Sequence, residues 1–165
     1  MFSSHICEAL HADHGATVEL AERIGALIER HRRSVPDTAS DSTARLLGDI
    51  PPAFDASLAH HFAFEEAELF SHLAAVGDSA IGAHLTDEHQ AMLPLGRELA
   101  ALARSASAAG FDATRWESFR KVGGELCQRL LEHVQKEEMV LLPLLEESLD
   151  PAADARLYNV FAGND

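Results

Sequence analysis

The 165-residue chain is short of several things, and each shortage narrows its function. Two cysteines, Cys7 and Cys127, make neither a disulfide framework nor a thiolate metal cluster. Lys and Arg number 13 against 27 Asp and Glu, a net charge of −14. That deficit of positive charge excludes nucleic acid and anionic membrane as partners, since both need a basic patch. The longest apolar run, Met139 to Leu145, contains Pro143 and falls well short of the about 20 apolar residues that span a bilayer. No basic stretch followed by an apolar one opens the sequence, so a reduced, cytoplasmic setting is the expectation. Val, Ile and Thr are sparse, and there is one Trp and one Tyr. Against these absences stand ten histidines.

Ala, Leu and Glu dominate, which favours helix almost throughout. The length suits one domain with a real core. The pattern predicts four long helices, over about residues 3–32, 53–76, 78–108 and 112–148. Breaks fall at Ser34 to Asp37, Gly77 to Ser79 and Ala109 to Asp112. Before the second helix, either a short helix over 43–48 precedes Pro51-Pro52, or the second helix is longer and kinked there. Pro94 and Pro143 lie inside the third and fourth helices and should kink them. Residues 1–149 form the expected domain. Residues 150–165 form a C-terminal tail of little periodicity, loose or docked.

The halves of this helical chain resemble each other. His61 to Leu73, HFAFEEAELFSHL, aligns without gaps to His133 to Leu145, HVQKEEMVLLPLL. Upstream, Asp13-His14 aligns with Glu88-His89. A two-helix hairpin repeated once predicts an all-α, antiparallel up-down-up-down four-helix bundle with an internal two-fold repeat and a central site.

The apolar stripe of each helix carries one histidine. His14 shares its face with Leu10, Val18, Ala21 and Ile24; His61 with Phe54, Leu58, Phe62 and Leu69. His89 shares its face with Leu85, Met92, Gly96 and Leu99; His133 with Leu126, Leu130, Val140, Leu141 and Leu144. Glu65 and Glu137 follow His61 and His133 by one turn on the same faces. A lone His-x-x-x-Glu is usually an ordinary surface pair. Two copies at matched offsets, each with an upstream core-facing histidine, are not. A carboxylate in an apolar interior must pair, protonate or bind metal, and no Lys or Arg lies on these stripes. The candidate ligands are therefore His14, His61, Glu65, His89, His133 and Glu137. Nitrogen and oxygen donors without thiolate suit iron, or manganese, with zinc as a further alternative. Six ligands fit two ions bridged by the two glutamates. Of roughly 12 coordination positions, imidazoles and bridging carboxylates fill about eight and an oxo or hydroxo bridge about two, leaving about two for a diatomic or peroxide ligand. Glu66 and Glu138 read as solvated or supporting acids, and His11 as an alternate or supporting histidine.

These residues resemble the hemerythrin-like (HHE cation-binding) domain over roughly His11 to Ser148. The resemblance implies a non-haem di-iron centre able to bind oxygen, nitric oxide or peroxide, in sensing or stress response. A di-iron enzyme that decomposes peroxide or reduces nitric oxide, and an iron-handling or repair protein, are the alternatives. Oxygen-carrying hemerythrins place a further histidine one turn from the third-helix ligand. Here the positions four either side of His89 are Leu85 and Leu93.

Overall fold

The computed structural model describes residues 2–163, all helix and connection with no strand. Five helices make it up. Helix α1 is His5–Arg30, α2 runs unbroken over 41–75, α3 is Ala80–Ala109, α4 runs over 113–148 and α5 is Pro151–Phe161. Ser4 caps α1 by accepting from Cys7 N, and Asp112 caps α4 by accepting from Arg115 N at 2.8 Å. Gly110 ends α3 with φ 76°, a conformation that a Cβ would strain. No described helix is long and apolar enough to cross a membrane.

The second helix begins at Asp41 and passes through Pro51 and Pro52, so the longer of the two expected forms is the one observed. Two consecutive prolines remove two backbone donors from the ladder. A widened π turn over Ala53–Ser57 follows directly, where Ser57 Oγ donates to Pro52 O at 3.3 Å. Two further π turns, Glu65–Leu69 in α2 and Glu137–Leu141 in α4, each begin at a glutamate of the repeated motif. Pro94 sits inside α3 without ending it.

Helix α3 packs on both α2 and α4, and α1 packs on α4 and α5. At Gly82, an added Cβ would lie 2.8 Å from Phe70 Cβ, so the α2–α3 approach depends on that glycine. Buried apolar residues form two clusters. One holds Leu20 and Ile24 of α1, Phe54 and Phe62 of α2, Met92 and Leu99 of α3, and Phe119 and Leu126 of α4. The other holds Ile6 and Leu10, Phe64, Leu69 and Leu73, Leu85, Leu141 and Leu145, and Leu157 of α5. On α1, α3 and α4 the histidine of the core stripe falls between the stretches that feed the two clusters, and on α2 His61 lies at that boundary, beside Phe62.

The segment after residue 149, expected as a tail, forms α5 and lies along α1. Asp150 caps it by accepting from Ala152 N and Ala153 N. Asp154 accepts from His5 N at 3.0 Å and Ile6 N at 2.9 Å, satisfying free amides at the start of α1. Leu157 is fully buried, and Phe161 packs against Phe64 with ring centroids 5.0 Å apart. Residues 164 and 165 of the expected tail lie outside the described residues.

Candidate metal centre

Six side chains meet in the layer between the two apolar clusters: His14 from α1, His61 and Glu65 from α2, His89 from α3, and His133 and Glu137 from α4. These are the six candidates read from the sequence, and all are buried. Helical spacing explains the local pairs, since residues four apart stack on one face. His61 Nε2 lies 3.1 Å from Glu65 Oε1, and His133 Nε2 lies 2.9 Å from Glu137 Oε1. The second oxygen of each glutamate crosses to another helix. Glu65 Oε2 faces His89 Nε2 at 3.3 Å, and Glu137 Oε2 faces His14 Nε2 at 3.2 Å. Two four-residue groups result, His14, His61, Glu65 and Glu137, and Glu65, His89, His133 and Glu137, with the ligand atoms of each within 4.8 Å of one another. Both glutamates belong to both groups.

The outer edge of every imidazole is held by a carboxylate. Asp13 accepts from His61 Nδ1 at 2.7 Å, Glu66 from His89 Nδ1 at 2.8 Å, Glu88 from His133 Nδ1 at 2.8 Å and Glu138 from His14 Nδ1 at 2.6 Å. Each acid is a sequence neighbour of one site residue and serves the histidine of the next helix. The bonds therefore close a ring, α1 to α2, α2 to α3, α3 to α4 and α4 to α1. A proton fixed on Nδ1 turns the Nε2 lone pair inward, as metal-ligating histidines require. Glu66 and Glu138 were legible as supporting acids. Asp13 and Glu88 were not assigned this role from the sequence, although the repeated acid-His pairs Asp13-His14 and Glu88-His89 carried the signal.

This donor set fits a metal. His14 Nε2, both oxygens of Glu65 and both oxygens of Glu137 are buried without a hydrogen-bond partner, and the close N···O separations lack hydrogen-bonding geometry. His89 Nε2 and His133 Nε2 approach to 3.1 Å, two inward lone pairs that need positive charge between or beside them. Bound cations, or protons in their place, supply it. The protonation equilibria point the same way. Burial pushes the His61 pKa down, but Glu65, Asp13 and Glu137 more than offset it and hold it well above the usual imidazole value. The His14 and His133 pKa values rise for the same reason, against burial, through Glu137 and their outer acids. Burial would raise the Glu137 pKa, yet the close imidazoles of His133 and His14 hold it far below the carboxylate range.

The surroundings of the two groups differ. Phe62 stacks on His89 with centroids 3.7 Å apart and planes 7° apart, and Phe70 covers the same ring from 5.9 Å. His14 and His61 instead lie 5.3 Å apart, with Phe161 of α5 edge-on to His61 at 6.3 Å. A cavity of about 170 Å³ borders Asp13 and His61, walled by Thr17, Leu20, Ala53, Phe54, Ser57 and Leu58. The π turn at Ala53–Ser57 forms one wall of it.

The other histidines stand apart from the six. His11 Nδ1 bonds Glu138 at 2.8 Å from an exposed position, so it supports the His14 arm. His84 lies 3.2 Å from Glu88, His72 bonds Ser148 and His31 bonds Ser34. His5 bonds Asp154, and His60 is exposed. Cys7 and Cys127 are buried, and burial pushes their thiols up to about 11 and about 12, so neither offers a thiolate to the site.

The family profile of the hemerythrin HHE cation binding domain matches residues 5–145. No curated protein and no solved structure matches the chain. The match ends before α5, which is an addition to the matched region.

Proposed function

The chain belongs to the hemerythrin HHE cation-binding domain family, and from that premise we propose that its buried cluster is a non-haem di-iron centre that binds oxygen, nitric oxide or peroxide, in sensing or stress response. The observation that carries this is the sharing of Glu65 and Glu137 between two groups of histidines, with each carboxylate oxygen facing a different imidazole. Two ions, with Glu65 and Glu137 shared between them and an oxo or hydroxo group completing the centre, would account for all six side chains at once. Imidazole and carboxylate donors favour iron, with manganese or zinc as alternative loadings. Iron bound there supplies Lewis acidity and redox chemistry.

In this reading the helices form an up-down-up-down bundle with a two-fold repeat over residues 1–149, followed by a C-terminal segment. The repeat is supported by equivalent roles for His14 and His89, His61 and His133, and Glu65 and Glu137. Asp13, Glu66, Glu88 and Glu138 orient the imidazoles and raise their basicity as ligands. Phe62 and Phe70 exclude water from the His89 side. The cavity beside Asp13 and His61 gives a small ligand room near the other side. Beyond the ligands and their orienting acids, no side chain at the site stands ready as a general acid or base, which favours binding over turnover.

Metal analysis of protein produced with ample iron tests the centre. About two irons per chain is the expected result. A count near zero, with His61→Ala as stable as wild type, overturns it. Stopped-flow spectra with oxygen, nitric oxide and peroxide test the binding role. A saturable spectral change at one ligand per centre supports it, whereas sustained peroxide loss at catalytic metal replaces it with the enzymatic alternative.

A further inference from the structure

One arm of the carboxylate ring differs from the other three. The Lys136 ammonium sits directly against Glu88 Oε1, while Glu88 Oε2 accepts from His133 Nδ1 at 2.8 Å. Among the described residues, Asp13, Glu66 and Glu138 have no Lys or Arg within 4.0 Å. Among the described residues, His11, on Glu138, is the further histidine within 4.0 Å of those three acids. Lys136 is about two-fifths exposed and Glu88 about one quarter, so the pair is partly shielded from water.

A carboxylate on the outer N–H of a ligating imidazole pushes electron density toward the metal. An ammonium on that carboxylate draws the density back, and it brings a fixed positive charge near the ion as well. Asp13 and Glu66 carry no second partner of this kind and Glu138 carries only the exposed imidazole of His11, whereas Glu88 carries a full ammonium. His133 is thereby the weakest donor of four chemically identical ligands. Extra positive charge beside a metal favours its lower oxidation state.

We propose that Lys136 is a positioning residue that acts through Glu88 and His133 to make the two halves of the centre unequal, so that the His89/His133 half is reduced more readily than the His14/His61 half. This rests on the di-iron reading, and it goes beyond that reading by breaking the symmetry of the ligand set.

Redox titration of the iron-loaded protein followed by its absorption spectrum tests this, with metal content measured on each sample. Wild type should show two separated one-electron steps. In Lys136→Met the higher step should fall by about 59 mV, a tenfold change in its equilibrium constant, while the other step holds. Lys136→Arg should restore the wild-type value, which a loss of packing alone does not predict. In a Glu88→Gln background, Lys136→Met should produce no further shift. Unchanged steps at full metal content overturn the proposal, as do equal shifts of both steps. A full shift in the Glu88→Gln background overturns the route through Glu88. Wild-type protein that takes up no metal overturns the di-iron reading instead, so the two failures are distinguishable.

Discussion

The two halves of the centre carry the same ligands in different settings. Around His89 and His133 the protein is closed: Phe62 lies flat on one ring, Phe70 backs it, and Lys136 fills the outside of Glu88. Around His14 and His61 it is open: a cavity reaches His61, and the covering ring belongs to the added helix α5. The difference teaches that ligand identity sets what can be bound, while the second layer of residues decides where a small molecule can arrive. A repeat in sequence therefore need not give a repeat in behaviour.

Removing a shared ligand should erase the comparison. Glu137→Ala takes a donor from both groups, and metal content is expected to fall from about two ions per chain to at most one. Retention of both ions would transfer the bridging role to Glu138. The next effect is on the closed side. Phe62→Ala should cost about 3–5 kcal/mol in a thermal or denaturant melt, and it should speed metal loss to a chelator by letting water reach His89. A chelator rate equal to wild type would show that the stacked ring is packing only. On the open side, Asp13→Asn leaves the shape but removes the charge behind His61. Metal affinity should drop about 10–100-fold in a competition titration. Glu66→Gln makes the matching change behind His89, and comparable losses in the two variants would show that openness does not weaken the hold on metal.

The smallest effect is that of pH on the metal-free protein. Because the His61 pKa is raised above 6.5, its contribution to stability is complete below pH 6.5 and is lost as pH rises through the folded value. Glu137 lies below 4.5, so its contribution is present above pH 4.5 and is lost as pH falls through its own low value. Metal-free protein should melt highest between these limits, pH 4.5 and 6.5, and lower in alkali. Metal uptake should run the other way and strengthen as pH rises, because ions displace the same protons. A metal-free melting point that climbs steadily into alkali would contradict the proton-held cluster.

The six candidate ligands were legible because helical periodicity and a doubled motif converge on them. The ring of orienting acids was only half legible. Asp13 and Glu88 act across helices, and a one-dimensional pattern ranks a residue by its own face. The core stripe of α4 was misplaced at Val140, expected buried and found exposed, while Leu142 and Leu145 are buried. The cause is the π turn at Glu137–Leu141, which takes more residues per turn and rotates the face that follows. A fixed 100° step cannot anticipate that rotation. Val76, expected as the last residue of the second helix, lies just past its end and is exposed. Helix α5 escaped notice because it is short and buries little more than Asp154 and Leu157.

The closed ring of carboxylate and imidazole bonds has a consequence for how the molecule breathes. Each long helix gives one such bond and receives one, so no helix can peel away without breaking two and stranding a buried imidazole on one neighbour. The middle layer should consequently open only with the whole fold, whereas α5 and the helix ends can fray alone. Amide hydrogens near His14, His61, His89 and His133 are thus expected to exchange together and last.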